Sequence, residues 1–223
     1  MAAIKSPRLR IILAALFALH WSDRVFPQTS PDTELETLNI PIAAFIVDAE
    51  NPDPALENQD DTISSQRTVD SMTNHFLHVN KVWNQAGIQI DPVTVKRISA
   101  PADLLRGLIE KRGRGGIANF FRAMRHGQID VGSVDNNALI WAFYVRSLGG
   151  PNGLKPQGVN SIFVVDEPAN EDYRVTSHEI GHILGLHHAR DTANKLLFPG
   201  SSGLLLTDVE KTVARYFAER LLR

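Results

Sequence analysis

Residues 178–188 read His-Glu-Ile-Gly-His-Ile-Leu-Gly-Leu-His-His. On an α-helix, His178 and His182 fall about 40° apart and one turn apart along the axis. Two imidazoles so placed can share one zinc ion at roughly 2.0–2.1 Å each. Glu179 projects about 60° from His182, near enough to reach a water on the metal but off the ligand axis. That suits a general base rather than a ligand. Gly185 falls on the ligand face, where a glycine can turn left-handed and end the helix. The chain can then bring His188 to the same metal from outside the helix. Three neutral imidazoles leave a fourth position open, which separates a catalytic zinc from a structural one. The pattern fixes five positions, and a chance match in a chain of this length is on the order of 1 in 10^5. His187 reads as a neighbour facing solvent. Glu210 and Asp191 are the alternatives for the third ligand.

The rest of the composition narrows the chemistry further. The chain has 223 residues, no cysteine and a formal net charge of −2. Without cysteine there are no disulfides, thiolate metal sites or thiol nucleophiles, so a metal must be held by His, Asp or Glu. A near-neutral charge gives no reason to expect nucleic-acid binding. With 43% hydrophobic and 22% charged residues, the balance is globular rather than disordered.

The first 30 residues read as an export segment. Lys5, Arg8 and Arg10 precede an apolar run from Ile11 to Leu19. That run is shorter than the roughly 20 residues a membrane helix needs, so it reads as a secretory signal without a stable membrane anchor. The expected location is therefore secreted or periplasmic. Residues 31–37 read as a linker, and 38–223 as a single catalytic domain. Removing residues 1–30 leaves 19 bases and 24 acids, a body nearer −5.

The motif needs a rigid backing, and the surrounding sequence offers one. Leu38–Asp48, Ile88–Ile98, Leu139–Arg146 and Val159–Asp166 read as strands, the first an Ile-rich run that looks buried. Pro92 marks an edge or a break. Val69, Met72, Phe76, Val79, Trp83 and Ala86 recur at steps of three and four, one face of a helix stopped by Gly87. Two short helices are expected around the Arg112–Gly116 loop. Residues 147–158 read as a Gly/Pro-rich loop with room for a short edge strand. Thr207 and Glu210 form a capping box for a last helix whose buried side is expected at Val209, Val213, Phe217 and Leu221. This order suggests an α/β or α+β sandwich.

The segment from His178 to His188 resembles the zinc-binding consensus of the metzincin metalloproteases. The resemblance implies an α+β domain with a twisted mixed sheet, a long backing helix, an active-site helix and a C-terminal helix. It also implies a zinc endopeptidase acting on protein or peptide substrates, with Zn2+ on His178, His182 and His188 and Glu179 as general base. Substrate would lie along an edge strand, for which residues 148–158 are the candidate. Family members carry a methionine in a turn beneath the metal. Here the matching stretch is Asn194–Gly200, and Leu197 stands where methionine is expected. Leucine and methionine have similar volume, so an apolar floor survives the exchange. The competing reading is a zinc-containing binding module of the same fold without turnover.

Weaker signals carry blander readings. His75 and His78 sit one turn apart and read chiefly as the flank of an amphipathic helix. The basic residues of segment 106–126 read as a solvated face. The acidic loops at 48–53 and 166–172 are candidates for structural Ca2+, although neither has an EF-hand spacing.

Overall fold

The computed structural model describes residues 36–50, 62–112 and 114–223. The expected export segment, most of the expected linker and residues 51–61 lie outside the described residues.

The strands are β1 (Leu38–Glu50), β2 (Ile88–Pro101), β3 (Ile140–Val145), β4 (Gly153–Leu154) and β5 (Ser161–Val165). The helices are α1 (Val69–Trp83), α2 (Ala102–Glu110), α3 (Arg114–Arg125), α4 (Asp172–Ile183) and α5 (Asp208–Leu221). The strands form one sheet in the order β2-β1-β3-β5-β4. All neighbours are parallel except β4, which runs antiparallel to β5. The fold is α+β with a mixed sheet, as the sequence suggests.

Side-chain alternation along the strands divides the core in two. Ile40, Ile42, Ala44 and Ile46 of β1 join Ile140, Ala142, Tyr144, Ile162 and Val164 beneath α1, α4 and α5. Ala43, Phe45 and Val47 join Phe143, Phe163 and Val165 on the opposite face, covered by α2 and α3. Burial on both faces explains why these strands read as continuous apolar runs. Pro92 lies on the edge strand β2 at a register shift, where Ile42 pairs with Pro92 and Ala43 with Thr94.

Helix α1 begins at a reciprocal Thr68–Ser71 capping box and buries Met72, Phe76, Val79 and Trp83 against the sheet. Val69 is the exception: in the first turn it is 42% exposed. A short 3-10 turn follows, and Gly87 closes it at φ +61°. Helix α5 has the expected Thr207–Glu210 box, but its buried side differs from the expectation. Ala214 and Ala218 are buried and Val213 and Leu221 partly so, while Val209 and Phe217 are 74% and 37% exposed. Steps of four advance about 40° too far each time, so the four positions drift round the helix instead of holding one face. The two alanines instead let α5 lie close to its neighbours. Among the described residues, no helix is long and apolar enough to cross a membrane.

Candidate metal centre

Helix α4 carries the front of the motif, and its burial explains how. Ile180 and Leu184 are fully buried on the sheet side, which fixes the helix roll and turns His178 and His182 outward. The helix ends where the glycine requires it. Leu184 caps it, Gly185 takes φ +77°, and the Leu186 N–H returns to the Gly181 carbonyl at 2.9 Å. A Cβ at Gly185 would meet the Phe217 ring at 2.4 Å, so this turn has no room for a larger residue. The reversal brings His188 over the helix.

The three imidazoles converge. His188 Nε2 lies 3.2 Å from His178 Nε2 and 3.2 Å from His182 Nε2. Tetrahedral ligands at roughly 2.0–2.1 Å from one zinc are separated by about 3.3 Å, so the spacing fits a shared ion. The outer nitrogens of two rings are also committed. His178 Nδ1–H donates to the Leu196 carbonyl at 2.8 Å, and His182 Nδ1–H to the Leu186 carbonyl at 2.9 Å. Those bonds fix the tautomer and leave the Nε2 lone pairs facing inward. Burial lowers both imidazoles, His178 to about 4, so at neutral pH they are the unprotonated form that a metal needs. A metal ion fits this donor set, and among the described residues these three make the group suited to one.

The other proposed ligands are engaged elsewhere. Asp191 is paired with Lys195 at 2.7 Å, Glu210 accepts the Thr207 N–H at 2.7 Å, and His187 is exposed outside the group. Residues 51–53 of the first calcium candidate loop lie outside the described residues, and the acids that are described have partners. Asp166 and Asp172 are both paired with Arg67, Asp48 is paired with Arg97, and no cluster of three carboxylates forms among the described residues.

Glu179 lies one residue after His178 and is 7% exposed. Burial pushes its carboxyl up to about 7, against the Lys155 backbone N–H bonded to it and the charge of Arg174. It is pinned under the edge strand. A Cβ at Gly153 would lie 2.9 Å from Glu179 Cγ and Oε1 and 2.6 Å from Val175 Cγ1, so β4 can cross here only as glycine. The cleft over the histidines holds about 400 Å3, within the usual range for a ligand site, and β4 forms one wall.

The turn at Asn194–Gly200 forms the floor. Leu197 is fully buried with a methyl 3.2 Å from a Cβ built at Gly181, directly behind the ligand-bearing turn of α4. The preceding Leu196 supplies the carbonyl that orients His178.

Three features escaped the sequence reading. Arg174 lies one turn before His178 on the same helical face, a spacing that could have marked it. It is 3% exposed and bonds to the carbonyls of Gly203, Leu196 and Phe198 at 3.2, 2.9 and 2.7 Å. The Gly153–Lys155 clamp on Glu179 had no local signal. The third is a polar cluster behind α4. His75 Nε2 meets Thr176 Oγ1 at 2.9 Å and the Tyr144 hydroxyl at 3.2 Å, while its Nδ1 faces Asp172 at 3.2 Å. Exposed His78 instead stacks on Tyr173. Arg106, Lys111, Arg112, Arg122 and Arg125 form a solvated face, as expected.

No protein-family model and no curated protein matches the chain. Among solved structures, one similar chain is described as "Structure of a chaperone-substrate complex", at 13% identity and a TM-score of 0.49. The match covers 84% of this chain and 35% of that one, so the chain spans about a third of that neighbour's length. A likeness this distant says nothing about activity.

Proposed function

We propose that the chain is a secreted or periplasmic zinc-dependent endopeptidase of metzincin type. The observation that carries this reading is the convergence of three Nε2 atoms beside a buried glutamate, with 3.2 Å between His188 and each of the other two. Three neutral nitrogen ligands suit zinc and leave a position open. Zinc there supplies Lewis acidity, lowering the pKa of a water towards about 7 and polarising a carbonyl. The chain's own residues do the rest. Glu179, held by the Lys155 N–H and by β4, takes the proton from the attacking water at its carboxylate and returns it to the leaving amine. Burial raises that carboxyl in the metal-free site, and a neighbouring dication would favour the carboxylate that a base needs. An extended peptide can lie along the outer edge of β4, the last strand of the sheet, which walls the cleft.

The test uses the full chain with metal analysis and cleavage of an unfolded protein substrate. One zinc per chain and measurable hydrolysis are expected. Glu179→Gln should keep the zinc and lose about 10^2- to 10^4-fold in rate. His188→Ala should lose zinc affinity by orders of magnitude. Full activity in Glu179→Gln removes the role given to that residue, and unchanged affinity in His188→Ala removes it from the site. Zinc bound without any hydrolysis by the native chain makes the protein a binding module instead.

A further inference from the structure

Arg174 is a buried cation that makes no ion pair among the described residues, and Glu179 acts on it only at longer range. The partners of Arg174 are all neutral: the three carbonyls above and, at 3.4 Å, Ser201 Oγ. Among the described residues, no carboxylate comes within ion-pair distance of it. The molecule treats its other buried guanidinium differently. Arg67, 9% exposed, has Asp166 at 3.3 Å and Asp172 at 2.5 Å. Taking a charge out of water is costly unless an opposite charge compensates. At Arg174 that compensation comes only from Glu179, at longer range than an ion pair.

One part of Arg174 also remains unused. Nε and Nη2 make the four bonds above, while Nη1 has no partner among the described residues. Nη1 is not among the described side-chain nitrogens sealed from solvent, and Arg174 lines the cleft that holds the histidines and Glu179. The carbonyl bonds hold the guanidinium plane fixed, so an incoming group meets a donor already aimed. The charge around it favours an anion: Arg174 and Lys155 line the cleft against the single carboxylate of Glu179. A metal dication adds to the same sign.

We propose that Arg174 is a carboxylate-binding residue of the cleft, selecting substrates with an acidic group beside the bond to be cleaved. This rests on the hydrolase reading for the word substrate, but the carboxylate site itself does not depend on turnover. A role confined to clipping the 196–203 segment under α4 predicts equal effects on acidic and neutral peptides.

The experiment uses zinc-loaded full chain and terminally blocked peptides that differ only by Asp against Asn at each position. Cleavage is followed by mass spectrometry, and binding by anisotropy on the Glu179→Gln background. A charge-assisted hydrogen bond predicts an Asp-over-Asn preference of about 10- to 100-fold in binding, in kcat/KM, or in both. Arg174→Gln, which can still bond to the carbonyls, should bring that ratio close to one. Arg174→Lys should keep part of it. A second set compares free-acid with amidated C-termini on neutral peptides. A preference found only there still supports the carboxylate site and makes the terminal carboxylate its ligand. Cleavage with no preference in either set overturns the proposal while leaving the hydrolase reading intact. Preferential binding of acidic peptides without cleavage supports the proposal and removes the hydrolase reading. A preference that survives Arg174→Gln overturns it, and so does equal binding of all peptides. Should Arg174→Gln fail to fold, the native chain's Asp/Asn ratio and its retention in Arg174→Lys decide the matter.

Discussion

Two groups of buried histidine chemistry lie on either side of the same helix, and they are built in opposite ways. Behind α4, His75 faces groups that complement it. Its Nδ1 looks at Asp172, its Nε2 meets two hydroxyls, and Arg67 joins Asp172 to Asp166. In front of α4, the ring nitrogens of His178, His182 and His188 face one another, with the outer nitrogens of His178 and His182 given to carbonyls. The first arrangement finds its opposite charges within the protein, although His75 Nδ1 and Arg67 Nε face their carboxylates without an aligned hydrogen bond. The second gathers three ring nitrogens that could hold a metal ion. On the proposed function, the polar cluster is then a fixed support and the histidine triad the site.

The comparison breaks most severely if the support is removed. Asp172→Ala leaves Arg67 with a single carboxylate and strips His75 of its acidic neighbour. Because the Asp172 side chain is 34% exposed and Arg67 keeps Asp166, the loss falls short of that for a fully buried pair, at about 1–3 kcal/mol. Metal-free thermal unfolding should show that loss, with the zinc stoichiometry unchanged wherever the chain remains folded. If zinc binding vanishes in the folded variant, the two groups are one site and the distinction fails.

A pH titration of stability sharpens the same contrast. Burial lowers the His75 imidazole despite the neighbouring Asp172, so the folded protein refuses a proton that the unfolded chain accepts near its ordinary value of 6.5. Stability is then fully present above that value and is lost as the pH falls below it. Asp172 behaves differently. Burial alone would raise its carboxyl, but His75 and Arg67 together hold it below the usual carboxylate range. Its contribution is lost only at more acidic pH, below about 4. Between pH 6.5 and 5 the buried histidines each contribute at most about 1.4 kcal/mol per pH unit, and Glu179 opposes them, because its raised carboxyl keeps a proton that the unfolded chain releases. His75→Gln should make the slope shallower in metal-free protein. An unchanged slope places the uptake entirely in front of the helix.

The two groups also differ in how far the sequence could reveal them. The triad was legible because its residues lie within 11 positions and a helix converts that spacing directly into a shared face. The strands β1, β3 and β5 were legible as apolar runs because both of their faces are covered. The polar cluster was not, since Arg67 and Asp172 are 105 residues apart and only the packing of α1 on α4 joins them. The pin on Glu179 is similar. Gly153 looks like an ordinary loop glycine until β4 crosses over a side chain from another element. Helix α5 shows the opposite failure, where a local pattern existed but two small alanines, rather than its large apolar residues, set the packed face.

The smallest expected effect concerns the floor that the two groups share through α4. Leu197 is buried behind Gly181, and Ala189 N–H bonds to its carbonyl at 3.0 Å, close to the chain that carries His188. Its work is to fill space beneath the ligand-bearing turn while Leu196 orients His178 by its backbone. Methionine has nearly the same volume and more torsional freedom, so Leu197→Met should change stability by less than about 1.5 kcal/mol. Zinc affinity should stay within a few-fold, because the carbonyl to His178 belongs to the backbone and not to the exchanged side chain. A large change in affinity with little change in stability would instead mean that the floor side chain tunes the metal electronically. Packing alone requires the reverse order, with any loss seen first in unfolding and only then, through displacement of Leu196, at the metal.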